Sequence, residues 1–443
     1  MKKSTNSLKA LTTGILILCF TSAFSQSYPS TWTSRGVGGG GAIVAASISP
    51  FNSNEFFLTC DMSNLFHTTD FGQNYNMIPF TELQIQNKSD VQFTSNPSKL
   101  FVLNTIGGYV PSKSYDGGNN WANATNPCTG PAYQLFTSPH DTDQVVISDP
   151  KKIYFSNAEN TFSSYATLLN YPGAYGGHIA GVYFENKDTV YICSHDSLIC
   201  TFNGGGSWLN TVAGTSGIPS NEHIISFKGA KQGGNWVFYC VTIQASVLPN
   251  IYNSSPSDYI EYRGVYKLSQ GQTQWNSIGG NLPSPSLDKG YLIGMASNDT
   301  SVLYIGGNST YLGLPLAAIF KSTDGGNSFT NSFINSGNFN LNNNVTTGWI
   351  GKQSLSTSRF KWHGLSYFLM LSVDPNNSAR LLCGDQFVAH SSIDKGVNWQ
   401  QAYTDVNYDN APSVLLDQSH QYKTSGLETT ASYWLNWTSP TNI

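Results

Sequence analysis

The chain has 443 residues, only 11% of them are charged, and the net charge at pH 7 is −4. That balance excludes a surface that binds nucleic-acid phosphates, because such a surface must be strongly basic. Glycine (42), tyrosine (24) and phenylalanine (24) are abundant instead, which is typical of short β-strands joined by turns rather than of helices. The composition therefore predicts an all-β protein, long enough to bury a large core.

The first predicted element is an export signal over residues 1–25. Basic residues precede a short apolar run at 14–20, and Ala23 and Ser25 then supply small side chains at the cleavage positions. The apolar run is too short to cross a bilayer. We therefore expect a secreted or cell-surface protein, exported through a cleaved signal peptide, with no membrane insertion.

A short motif recurs along the rest of the chain, with the form S/T-x-D/N-x-G-x-x-aromatic. The clear copies begin at Thr68, Ser114, Thr201, Ser322 and Ser392, and degenerate copies begin at Ser156 and Ser269. Each copy follows a β-rich run, a polar turn and a second β-rich run. A third strand leading into the motif and a fourth leaving it complete a set of four. The repeat thus predicts a seven-bladed β-propeller of four-stranded blades over residues 26–425.

The acidic residue of each motif is assigned a structural role. Its carboxylate can cap the backbone amides of the turn between the third and fourth strands, while glycine supplies a positive φ and the aromatic side chain packs between sheets. The residues in this role are Asp70, Asp116, Asn203, Asp324 and Asp394. The motif resembles the Asp-box, or BNR, repeat that occurs in many families of β-propellers.

Two segments resemble a narrower group of proteins. The Gly-rich opening at 35–41 with the segment 60–70, and the segment 426–430 near the end, resemble the openings of the two propellers of xyloglucanase-like enzymes, glycoside hydrolase family seventy-four and its relatives. The resemblance implies hydrolysis of a β-linked, xyloglucan-like polysaccharide by an inverting, endo-type reaction. It places Asp61 at the position of the general base.

The family's general acid belongs to a second propeller. That propeller is not in this sequence, and an inverting site needs two carboxyl groups. We expect the tail at 426–443 to be either the start of a further blade or the strand that closes the ring.

A second carboxylate is suggested by the repeat itself. Asp61 and Asp385 lie at the same distance before the motif residues Asp70 and Asp394. In a closed ring the first and seventh blades are neighbours, so the two side chains are predicted to meet at the ligand-facing end as a catalytic pair. The alternative, that Asp simply favours the start of a turn, stays open.

Aromatic residues between the repeats are candidates for stacking against sugar rings, with plain loop packing as the alternative. They are Tyr171, Tyr175, Trp349, Trp362 and His363. Cys193 and Cys200 flank a predicted turn and are a candidate disulfide. No cysteine or histidine spacing indicates a metal site, and no cofactor is expected.

Two classes of function remain open. One is a secreted glycan-acting enzyme with Asp61 as general base, and the other is a non-catalytic extracellular propeller that binds a glycan or a protein. A sialidase does not fit, because its carboxylate-binding site uses three arginines and the whole chain has four: Arg35, Arg263, Arg359 and Arg380.

Overall fold

The computed structural model describes residues 43–60, 62–85, 89–157, 166–171, 177–211, 214–247, 262–280, 282, 289–311, 314–334, 344–346, 370–384 and 389–401. These residues form seven sheets in chain order, each containing four consecutive antiparallel strands, and the last sheet has a fifth strand in addition. The sheets are the blades of a seven-bladed β-propeller, as predicted. The predicted signal peptide and the tail at 426–443 lie outside the described residues.

The first four blades have short strands. Blade 1 comprises β1 (Ile43–Ile48), β2 (Phe56–Cys60), β3 (Leu65–Thr68) and β4 (Asn76–Met77). Blade 2 comprises β5 (Gln92–Phe93), β6 (Leu100–Asn104), β7 (Val110–Ser114) and β8 (Ala122–Asn123). Blade 3 comprises β9 (Gln134–Thr137), β10 (Val145–Ser148), β11 (Lys152–Ser156) and β12 (Ala166–Asn170). Blade 4 comprises β13 (Ile179–Phe184), β14 (Val190–Ser194), β15 (Leu198–Thr201) and β16 (Leu209–Asn210).

The last three blades include longer hairpins. Blade 5 comprises β17 (Glu222–Gln232), β18 (Asn235–Gln244), β19 (Tyr262–Ser269) and β20 (Asn276–Ile278). Blade 6 comprises β21 (Lys289–Ala296), β22 (Asp299–Tyr311), β23 (Leu314–Ser322) and β24 (Thr330–Ile334). Blade 7 comprises β26 (Met370–Asp374), β27 (Asn377–Gly384), β28 (Ala389–Ser392) and β29 (Asn398–Gln401), with β25 (Asn344–Thr346) added parallel to β29. Within the described residues the single helical turn is Ala245–Val247, of 3-10 type, and no helix there is long and apolar enough to cross a membrane.

The hydrophobic core lies between the blades. A separate cluster of buried apolar side chains fills each described interface from blades 1 and 2 to blades 6 and 7. Between the first two blades, for example, Phe57 packs with Leu100 and Val102. Both faces of most sheets are therefore covered, which explains why β6 and β14 are buried along their whole length.

The first residue of each motif is the last residue of a third strand, in all seven blades. In blade 2 the Ser114 hydroxyl donates to Asp116 Oδ1 at 2.8 Å and accepts the N–H of Gly118 at 2.8 Å. The same Oδ1 accepts the N–H of Asn120 at 2.9 Å. These three bonds recur at 2.8–2.9 Å in the motif turns that begin at Thr68, Thr201, Ser322 and Ser392.

Hydrogen bonds lower the pKa of the carboxyl groups of Asp70, Asp116 and Asp324. The backbone and side-chain N–H groups of Asn74 lower the pKa of Asp70 to about 2. The hydroxyl and N–H of Ser328 do the same for Asp324. In blade 4 the amide oxygen of Asn203 accepts the same N–H bond without a charge. A neutral oxygen acceptor therefore suffices to build the turn.

A glycine two positions after the acidic residue packs against the preceding blade. Gly118 has a φ of +87°, and a Cβ added to it would lie 2.5 Å from Phe57 Cζ in blade 1. A Cβ on Gly205 would lie 2.1 Å from Phe155 in blade 3, and one on Gly326 would lie 2.3 Å from Ile278 in blade 5. The glycine is required both by its backbone conformation and by the neighbouring blade.

The predicted disulfide in blade 4 is wrong. The register pairs Cys193 with Leu198 and Cys200 with Tyr191, so the two cysteines are not opposite each other. Both are free thiols in the buried cluster between blades 4 and 5. The turn between β14 and β15 is centred closer to β14 than the sequence suggested, because Ser194 is the last residue of that strand and its N–H bonds to the Ser197 carbonyl.

We predict that Gly118→Ala lowers the free energy of unfolding by about 3 kcal/mol, since it combines a left-handed alanine with a clash against Phe57. Gly234→Ala is the matched control, because Gly234 has a φ of +86° and open space around its Cβ position. We expect that control to cost about 1 kcal/mol. Urea denaturation of both variants measures the difference, and equal losses would contradict the role given to the interblade contact.

Candidate functional site

The connections of each blade divide between two ends of the propeller. Because the strands are antiparallel, the turns between first and second strands lie at the same end as the motif turns. We call this end the turn-motif face. The connections between second and third strands, and those between blades, lie at the other end, the loop face. Such loops can vary without disturbing the sheets, so they commonly carry function.

The predicted catalytic pair maps to connections at the loop face. Asp61 follows the last residue of β2 and Asp385 follows the last residue of β27, and both are second strands, as the repeat indicates. Asp61 and Asp385 themselves lie outside the described residues, as do the candidate sugar-stacking residues Tyr175, Trp349, Trp362 and His363. Their arrangement therefore stays a prediction.

Tyr171, the remaining sugar-stacking candidate, is engaged within the protein. Its hydroxyl donates to Asp196 Oδ1 at 2.7 Å and lies 2.9 Å from Ser194 Oγ. Its ring packs against His195, with the ring centroids 4.8 Å apart. Tyr171 thus joins the end of blade 3 to the turn between the second and third strands of blade 4, and burial raises the pKa of its hydroxyl.

A cluster of histidines lies beside Tyr171 at the loop face of blades 4 and 5. The rings of His195 and His223 meet edge to face at 4.6 Å, and His195 Nε2 lies 3.6 Å from Asp196 Oδ2. His178 is buried, with Nε2 3.4 Å from the Ile225 carbonyl. Burial lowers the pKa of His178 to about 4 and also lowers that of His223. These two rings are therefore neutral at physiological pH.

The sequence analysis missed this cluster, although a signal was present. His178-Ile179 and His223-Ile224 are the same dipeptide at the opening of two consecutive blades. In both blades the register shifts just after that isoleucine. In the described part of the chain no group of three or more His, Cys, Asp or Glu side chains is arranged to hold a metal ion.

A second site residue that the sequence analysis missed is Asp90, just before β5 of blade 2. The preceding residue, Ser89, is hydrogen-bonded to both neighbouring blades. Thr59 Oγ1 of blade 1 donates to the Ser89 carbonyl at 3.3 Å, and Ser89 Oγ donates to the Leu103 carbonyl of blade 2 at 2.5 Å. Gln92 Nε2 donates to Asp90 Oδ2 at 2.7 Å.

Removal from water raises the pKa of Asp90 to about 6. A carboxyl group with that pKa can carry a proton in mildly acidic solution and release it near neutrality. Because Thr59 lies near the end of β2, Asp90 belongs to the part of the loop face where blades 1 and 2 meet.

We predict that stability declines as the pH falls from 6.5 toward 4. The unfolded chain then takes up a proton on His178 that the folded chain rejects, so the loss at pH 4.5 should be about 2 kcal/mol from this residue. His178→Gln should flatten the fall, measured as urea midpoints at pH 7 and pH 4.5. His140→Gln at an exposed position is the control, and the same slope in all three proteins would contradict the assignment.

Comparison with known proteins supports the propeller fold but assigns no family. No protein-family profile and no curated protein matches the sequence. The chain is similar to the structure of the GH74 xyloglucanase from Xanthomonas campestris, with 16% identity over 84% of this chain and 55% of that chain, and a TM-score of 0.55. Two further structures are more distant in shape. An ancestral GH74 enzyme has 16% identity over 84% of this chain and 56% of that chain, with a TM-score of 0.43. YCF48 from Cyanidioschyzon merolae has 13% identity over 81% of this chain and 84% of that chain, with a TM-score of 0.40. The chain spans about half the length of the two GH74 enzymes, and at this identity the likeness shows a shared propeller fold.

Proposed function

We propose that this protein is a secreted, glycan-acting propeller that hydrolyses β-linked polysaccharide at its loop face. Two features support the proposal together. The segments around 35–41 and 60–70 resemble the openings of xyloglucanase-like enzymes, and a GH74 xyloglucanase shares the fold. The repeated turns fit the Asp-box type, whose carboxylates have a structural role and leave the other face for chemistry.

The observation that carries the proposal is that Asp61 and Asp385 each come directly after the second strand of a blade, at β2 and β27. Asp61 is proposed as the general base that activates water, and Asp385 as its partner in the neighbouring blade. Asp90 is a third carboxyl at that face, and its raised pKa suits a general acid. An inverting hydrolysis needs one carboxyl in each protonation state, with room for water between them.

The alternative is a propeller that binds glycan or protein without turnover. It is favoured by the extent of the match, since the shared region covers 55% of the GH74 xyloglucanase chain. The two classes differ in whether reducing ends accumulate in the presence of the protein.

The test is a reducing-end assay on xyloglucan, mixed-linkage β-glucan and carboxymethylcellulose. We expect release by the natural protein and a loss of at least about 100-fold in Asp61→Asn, because general base catalysis is worth 10²–10⁴. Asp188→Asn, an exposed position on the turn-motif face, is the control. Retarded migration in gels containing these polysaccharides, with no reducing ends released, would support the binding alternative instead. Neither retardation nor release would refute both.

The proposed role of Asp90 has its own signature. If Asp90 donates the proton, kcat/KM should fall as the pH rises through about 6, because only the protonated acid is active. In Asp90→Asn we expect that alkaline limb to disappear along with most of the activity. An unchanged pH profile in this variant would show that Asp90 is not the general acid. The role of Asp61 would then still depend on the Asp61→Asn variant.

A further inference from the structure

A cleft of about 630 Å³ opens on the turn-motif face between blades 5 and 6, away from the proposed catalytic end. Its walls come from the turn between β17 and β18, the end of β19, the start of β22 and the motif turn of blade 6. The lining is mainly polar, with Asn235, Gln270 and Ser301 among the amides and hydroxyls. Its charged residues, Lys267 and Asp324, have opposite signs, so the cleft favours neutral, hydroxyl-rich ligands over anions or cations.

Gly325 lines the cleft and has no side chain to enter it. A Cβ at this position would lie 3.0 Å from Lys267 Nζ and 3.5 Å from the Tyr239 hydroxyl. The equivalent motif positions in blades 1 and 7 are occupied by Phe71 and Lys395. Blade 6 shares glycine at this position with blades 2 and 4, whereas blades 1 and 7 have a larger residue there.

The polar groups of the cleft are held in place by the protein. Lys267 Nζ donates to the Gly325 carbonyl at 3.3 Å and lies 5.5 Å from the centre of the Tyr239 ring. Tyr239 donates its hydroxyl proton to the Thr300 carbonyl at 2.9 Å. An ammonium group has three donors, so Lys267 can still donate to a ligand from a fixed position. Preorganised donors lose little entropy on binding.

An aromatic strip lies on the other side of the turn between β17 and β18, between blades 4 and 5. Phe202, in the motif turn of blade 4, is 57% exposed, and its ring contacts Tyr191 at 6.2 Å. Tyr191 is buried and lies 5.9 Å from Trp236, whose side chain packs toward blade 4. Phe238 covers one face of the Trp236 indole, stacked at 4.4 Å and 16°. Trp236 is the second residue of β18, so its partly exposed indole lies at the turn-motif face.

We propose that the aromatic strip and the cleft together form a second saccharide-binding surface, distinct from the loop face. An exposed phenylalanine and a partly exposed tryptophan present apolar rings to the CH faces of pyranoses. On the other side of the turn between β17 and β18, the amides, hydroxyls and Lys267 of the cleft bind ring hydroxyls of the same chain. The surface takes a segment of a neutral oligosaccharide or polysaccharide chain and holds the polymer while the other end of the propeller acts on it. This inference rests on the proposed glycan-directed function.

The test is affinity electrophoresis of the full chain in gels containing xyloglucan. Phe202→Ala and Lys267→Met are each expected to weaken retardation about tenfold, the scale of one lost aromatic or charged contact. Phe51→Ala is the matched control, because Phe51 is 49% exposed on the same face in blade 1. We expect it to bind like the natural protein. Thermal melts establish that each variant is folded, and Trp236→Phe keeps an aromatic ring where full truncation would disturb the core.

The outcomes separate this inference from the proposed function. Weaker retardation in Phe202→Ala and Lys267→Met, with Phe51→Ala unchanged, supports the second surface. If all three variants bind like the natural protein, the second surface is refuted and the reducing-end assay stands on its own. If the natural protein releases reducing ends but is not retarded by xyloglucan, this inference alone fails. If it does neither, both proposals fail.

Discussion

The structure depends on the hydroxyl group of the Ser or Thr that ends the third strand, as described in blades 1, 2, 4, 6 and 7. It donates to an acidic or amide oxygen and accepts a glycine N–H, so a single oxygen fixes both sides of a tight turn. That turn sets two successive residues in the left-handed region, as at Gly117 and Gly118. It thereby places the second glycine against the preceding blade, as Gly118 lies against the Phe57 ring. Local hydrogen bonding and blade-to-blade packing are thus one constraint.

This constraint makes the two ends of the propeller unlike each other. At the turn-motif face, polar bonds link neighbouring blades: Lys99 with Asp143, Glu185 with Lys231, and Asp299 with Ser378. The loop face is joined chiefly by contacts such as Tyr171 with Ser194 and by the buried histidines. The pair of Lys231 with Glu185 is partly exposed and adds little free energy, whereas the pair of Lys99 with Asp143 is largely buried. The loop face has more freedom to carry residues chosen for chemistry.

The sequence predicted the ring well because the repeat is local. The start of every motif coincides with the end of a third strand, since Ser, Asp and Gly at fixed offsets are dictated by the turn alone. Contacts between residues that are far apart in the sequence could not be predicted from the repeat. The cysteines at 193 and 200 were misassigned because the turn between β14 and β15 lies one position earlier than predicted, and this changes the cross-strand partner of every residue in the hairpin. Asp90 and His178 were missed because their burial depends on neighbouring blades, which no spacing within one repeat reveals.

The glycine contact between blades also bears on how such a protein can be recombined. Gly118 fits Phe57, Gly205 fits Phe155 and Gly326 fits Ile278, so each turn is shaped to one particular neighbour. If one blade were exchanged on its own, its motif turn would no longer fit, because the turn is shaped to the blade that preceded it in its original protein. The natural unit of duplication or of chimaeric design is therefore the interface, comprising one motif turn and the facing strand of the blade before it. Cutting the chain between the two blades of a pair divides that unit.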